Sequence, residues 1–290
     1  MERLRLLIEK QVLGVSGVAL GNIDFSRPAG DAGLYGPDSV VWRVHGDFTS
    51  MMCGGISALL LQMLHPSALA GVWDHSDFRE DMLGRLRRTA QFISGTSFGS
   101  YETAWTLIEK VKAIHERVSG VDSRGVPYRA SDPALLTWVH VAEAHSFLSA
   151  HLRWCNPALG AEEQDKYYQE AARVAEALGA RDIPDNRRAV AQYLQKMRPV
   201  LRCDERTREV TRLLLNAPLP GGMAKPMGRL MMRAGIDLLP DWARGQLQLS
   251  GTPGGAWSIN PPLYLLAWVL RWAVRNGARH RAMVRVGRTL

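Results

Sequence analysis

Apolar residues recur at intervals of three and four along most of this chain, and strict alternation is scarce. That is the period of helices with one buried face. Residues 1–12 read as a short amphipathic helix. Gly14–Ser39, rich in glycine and carrying Pro28 and Pro37, reads as a loop-rich segment, and Val40–His45 fits an extended piece or the start of a helix. Gly54–His65 is apolar almost all round, which marks a helix buried on most sides, and Pro66 ends or disturbs it. A helix is expected over Asp74–Phe92, with Asp74 and Ser76 as N-cap candidates, and then a break at Gly95–Gly99. Helices follow over Tyr101–Val118, closed by Gly120, and Ser131–Leu152, capped by Ser131 with Pro133 in the first turn. Others are expected over Ala161–Leu178, Asn186–Asn216 (broken near Pro199), Met223–Ala234, Pro240–Leu249 and Leu263–Arg275. Pro218–Gly222 reads as a turn and Leu249–Pro262 as a Gly/Pro loop. No internal repeat is visible. The pattern predicts an all-α fold, a single domain over residues 1–290.

One helical stretch, Leu83–Ile93, carries chemistry. Arg85, Arg88 and Thr89 sit at i, i+3 and i+4 and share a face that Phe92 continues. Two readings stand: a solvated amphipathic face, or the border of a pocket for an anionic or oxygen-rich ligand. On the next helix Trp105, Ile108, Val111 and His115 form one apolar stripe, while Glu109, Lys110, Lys112 and Glu116 lie off it. His115 is thus a satisfied core histidine or a metal ligand. The line Leu136, Val139, His140 and Glu143 suggests a second buried histidine. His140 and His145 are five apart and do not share a face. Neither the HExxH of zinc proteases nor the repeated Glu-x-x-His of di-iron bundles is present.

Composition narrows the function classes. With 46% hydrophobic and 22% charged residues the chain is ordinary globular protein. Nine Trp and eleven Met fill irregular cavities as readily as cores. The net charge of +8 comes without a recognisable nucleic-acid module, so no nucleic-acid partner is expected. The densest basic run, Arg275–Arg288, reads as a peripheral contact for an acidic surface or as a frayed tail. Gly30–Gly36 is too irregular for a dinucleotide fingerprint. Cys53, Cys155 and Cys203 are far apart with no CxxC pair, which fits a reducing compartment. Charges appear early in the chain, and the longest apolar run, Pro261–Leu270, is about half of a membrane span. A soluble cytoplasmic protein without a membrane span is expected.

Several short segments, in order, resemble a known family. They are His45-Gly46-Asp47, Gly54-Gly55 with Leu59 to Pro66, Asp74 to Phe78, Arg85-Leu-Arg-Arg88-Thr89, Ile114 to Gly120, and Asp132-Pro133 to Trp138-Val139-His140. They fill residues 40–145, and a weaker match continues through Tyr167, Pro184 and Leu239-Pro240. The set resembles the MpaB-type oxygenases, whose catalytic domain is shared with the latex-clearing rubber oxygenases. That resemblance implies a helical fold enclosing one haem b, with a histidine as axial ligand falling on His115. It also implies Arg85 and Thr89 near the haem or its oxygen site. Arg88 stands where some rubber oxygenases have an iron-capping lysine, but a protonated guanidinium has no lone pair to give. The sixth iron position is then empty, watery or filled by something else. The rubber oxygenases' catalytic glutamate falls on no matched position, so rubber is not implied as substrate.

The expected function is a haem b-dependent oxygenase or oxidase with a small apolar substrate and O₂. The cofactor-binding candidates are His115, Arg85, Arg88, Thr89 and His140. His140 is the rival ligand because it ends a resembling motif, and His65 is a third whose neighbour Pro66 suggests a turn role. A non-catalytic haem sensor, carrier or interaction protein is the alternative, and a structural protein without cofactor is a third. A cysteine-ligated haem is disfavoured, since no cysteine sits in a Phe-x-x-Gly-x-x-x-Cys context.

Overall fold

Short polar side chains set half of the described helix starts in this protein. A computed structural model describes residues 1–15, 23–217, 224–251 and 255–288. The helices are α1 (Glu2–Val15), α2 (Val40–His45), α3 (Phe48–Gln62), α4 (Pro66–His75), α5 (Met82–Phe98), α6 (Tyr101–His115) and α7 (Pro133–Trp154). They continue as α8 (Ala161–Leu178), α9 (Arg187–Met197), α10 (Glu205–Leu215), α11 (Ala224–Leu238), α12 (Asp241–Gln246), α13 (Gly255–Ala273) and α14 (Ala278–Arg285). Between α6 and α7, β1 (Ser119–Val121) and β2 (Pro127–Arg129) pair antiparallel with Gly120 opposite Tyr128. The all-α expectation is borne out, apart from this small ribbon.

Asp47, Asp81, Ser100 and Asp132 each accept a backbone N–H in the first turn of α3, α5, α6 and α7. α3 is the axis of the core. α7 packs along one side of it and α11 along another. Glycine makes both approaches close. A Cβ on Gly54 would lie 3.0 Å from the Phe147 Cα, and one on Gly235 would lie 2.6 Å from Ile56 Cγ2. Leu60, Leu61 and Leu64 are buried with Trp138, Phe147, Trp154 and Tyr167 in one apolar cluster. Of the described residues, no single helix is long and apolar enough to cross a membrane. α3 and α4 pass only as a pair bent by 103°.

The boundaries differ from expectation in instructive places. α5 is capped by Asp81 rather than Asp74 or Ser76, and it runs through Gly95 to Phe98. α6 stops at His115, and Gly120 belongs to β1. Asp132 caps α7 in place of Ser131, because its side chain reaches the Ala134 N–H at 2.8 Å. Asn186–Asn216 divides into α9 and α10, as the proline suggests. α13 runs through Pro261 and Pro262, where a loop was expected. The turn at Pro218–Gly222 and parts of the Gly14–Ser39 and Leu249–Pro262 segments lie outside the described residues. Arg275–Arg288 is no frayed tail. Arg285, buried in α14, donates to the carbonyls of Phe25 at 3.0 Å and Phe98 at 2.8 Å.

Candidate active site

α5 and α6 are joined by Gly99 and Ser100 alone and pack side by side. Gly95 makes room for this: a Cβ there would meet Leu107 Cδ1 of α6. Between this pair and the α3–α7 core lie two adjoining cavities, of about 300 and 510 Å³. Leu59, Gln62 and Leu86 line both. Each falls in the size range of ligand pockets, about 300–1,000 Å³.

Arg85 and His115 line the smaller cavity from α5 and α6. The Arg85 guanidinium donates to Ser76 Oγ at 2.6 Å, and burial together with the like charge of Arg88 lowers its pKa. His115 closes α6 and is half-buried. Its Nδ1 is shielded from solvent with no hydrogen-bond partner among the described residues, and burial lowers its pKa. Its imidazole is therefore neutral near pH 7 and keeps a lone pair.

Thr89 lines the larger cavity. Its hydroxyl donates back to the Arg85 carbonyl at 3.1 Å. Glu143 of α7 lines the same cavity and is half-buried. Burial pushes its carboxyl up to about 7. His45, also on this wall, is held by Ser97 Oγ at 2.7 Å and Tyr167 Oη at 3.0 Å. Burial first, and then the neighbouring His151 and His140, push its pKa down to about 3.

The structure thus brings Arg85 and His115 to one cavity and Thr89 to the next. Arg88 points away from both and pairs with Asp81 at 3.3 Å on the exposed side. His140 lies in the interior near His45 but is not among the lining residues of either cavity, and burial pushes its pKa down to about 4. His65 caps α4, the turn role its proline suggested. Sequence reasoning left Glu143 and His45 without a role. The available signal for Glu143 was a carboxylate one turn beyond Val139 on an otherwise apolar helix.

A family model described as "ER-bound oxygenase mpaB/B'/Rubber oxygenase, catalytic domain" matches residues 42–274. The chain belongs to this family. The match takes in everything from α3 to α13, and with it the whole lining of the smaller cavity and most of the larger one's, which residues of α1 and Gly277 to His280 complete. MpaB/rubber-oxygenase membership makes this an oxygenase domain, an oxidoreductase by class. No curated protein and no solved structure matches the chain.

Proposed function

We propose that this MpaB-type chain is a haem b-dependent oxygenase or oxidase in which His115 would hold the iron. Its substrates in this reading are O₂ and a small apolar organic molecule. The observation that carries the proposal is His115 itself, a neutral histidine opening on the same cavity as Arg85 with its Nδ1 unpaired. Native proteins rarely leave such a nitrogen without a partner. Among the described residues, no three His, Cys, Asp or Glu side chains group as a bare-metal site. One histidine would suffice to hold an iron whose remaining ligands come with its own cofactor. The residues present fit that group: His115 would hold the iron, and Arg85 would offer donors to a rim carboxylate. Bound there, haem supplies redox chemistry that no side chain has.

The chain's own residues do the rest. Leu59, Leu86 and Val139 give the smaller lobe apolar walls. Met51, Met52 and Phe147 make the larger lobe apolar, which supports an apolar substrate. Glu143 holds or releases a proton near neutral pH on the same wall system as Thr89, the property a general acid or base needs. Arg88 stays outside this reading because its charge is spent on Asp81.

The test is to supply haem to the wild type, His115→Ala and His140→Ala and record haem content and the Soret band of each. Loss in the first variant alone, with helical circular dichroism intact, is the expected result. Full retention in His115→Ala with loss in His140→Ala moves the ligand to His140. A wild type that takes up no haem sinks the proposal. Substrate-dependent O₂ uptake then separates an enzyme from a haem carrier.

A further inference from the structure

α13 buries Ile259, Leu263, Ala267 and Leu270 against the core, yet its opposite face is not polar. Trp257, Leu265 and Trp268 stand 89%, 63% and 67% exposed along that face. The row is roughly 16 Å long at helical rise. α1 packs beside α13 and adds exposed Leu4 and Leu7. α11 also packs against α13 and presents Lys225, Arg229 and Arg233, all exposed and four residues apart on one face. Arg233 reaches Ser258 Oγ at 3.4 Å, next to Trp257, so the basic and aromatic rows adjoin. From Trp242 to Leu290 the chain holds seven arginines and no Asp or Glu.

We infer that this α1–α11–α13 face docks on the surface of an anionic lipid bilayer. Indole rings favour the headgroup region, where an apolar body and an N–H are both served. A helix with an apolar exposed face and basic flanks lies in the interface plane. Lysine and arginine beside it gain from the negative surface potential. A second copy of this chain is a poorer occupant. Two-fold pairing of the face would bring basic rows near one another, with no carboxylate on α13 to meet them and the exposed Glu2 of α1 already paired to Arg5. Leu270 of α13, Val274 just beyond its end and Val12 of α1 also line the 510 Å³ cavity. The helix that carries the docked face therefore walls, on its buried side, the lobe assigned above to an apolar substrate. That last link rests on the functional reading, whereas the docking does not.

The experiment is flotation of the full chain with vesicles of phosphatidylcholine alone, or with about one-third phosphatidylglycerol, at roughly 0.1 M salt. The wild type is expected to float with the anionic vesicles and to be released by high salt. Lys225→Glu/Arg229→Glu/Arg233→Glu should lower partitioning roughly 100-fold on anionic vesicles. Leu265→Ser/Trp268→Ser should lower it at least about tenfold. All five positions are exposed, so circular dichroism should stay at the wild-type level; Trp257→Ser alone gives a milder variant that should still weaken flotation. A wild type that stays in solution overturns the inference, and so do folded variants that float undiminished. A dimer by light scattering that Leu265→Ser/Trp268→Ser converts to monomer, without flotation of the wild type, assigns the face to a second copy instead.

Discussion

Glu143 is a carboxyl group kept largely from bulk water, and its titration reports on the folded state. Its pKa stands at about 7 against an ordinary 4.5. Between those values the folded chain holds a proton that the unfolded chain has released. Stability therefore falls as pH rises through this window and levels off above it. The full cost of the carboxylate is on the order of 3 kcal/mol. Glu143→Gln stays neutral, so urea denaturation should show it more stable than wild type at pH 8 by on the order of 2–3 kcal/mol and nearly equal at pH 4. An equal difference at both pH values would mean that Glu143 is not held neutral. The position of Glu143 was legible in the sequence, on the line with Val139 and His140, but its protonation was not, because that depends on what surrounds it. Arg85 and Arg88 teach a related lesson. Three residues leave about 60° between side chains, enough for one to turn to a cavity and the other to Asp81. Shared helical phase alone did not distinguish them.

Glycines decide how the elements fit. Gly235 sits where α11 crosses α3, and a Cβ there would lie 2.6 Å from Ile56 Cγ2 and 3.0 Å from the Cys53 carbonyl oxygen. Gly235→Ala gains about 1 kcal/mol of helix propensity and meets an overpacking cost of about 1–3 kcal/mol. A net loss of up to about 2 kcal/mol is expected in thermal or urea unfolding. Gly245→Ala in α12 is the control: nothing lies within 4 Å of its Cβ, so it should gain a few tenths to about 1 kcal/mol. If both variants behave alike, the close α3–α11 approach is not what Gly235 serves. Helix existence was legible from apolar spacing, whereas the ends were less so. Gly95 reads as a break because glycine is a weak helix former, but here it is a notch that admits Leu107. Asp74, Ser76 and Asp81 are all acceptable caps, and only the path of the chain selects Asp81. Strands of three residues, such as β1 and β2, are too short to display an alternating pattern.

At the scale of the molecule, five histidines set the response to acid. Burial is the leading cause that pushes His45 down to about 3 and His65, His140, His145 and His151 down to about 4. Unfolding exposes them to water, where each takes a proton near pH 6.5. Their neutral burial contributes fully above that value and is lost as pH falls toward the folded values. Glu143 acts in the opposite sense over nearly the same window, but it is one group against five. The histidines win, and stability should be nearly flat above pH 7 and fall steeply below about 6.5. Each histidine is worth at most about 3 kcal/mol at pH 4, against about 5–15 kcal/mol for a whole domain. The fold should thus give way before the last of them titrates, with helical circular dichroism lost cooperatively between about pH 6 and 4. His145→Asn should make that decline shallower, since it removes one of the protons taken up on unfolding. Equal urea midpoints at pH 4.5 and 7 would show that these imidazoles are far better hydrated than their packing implies.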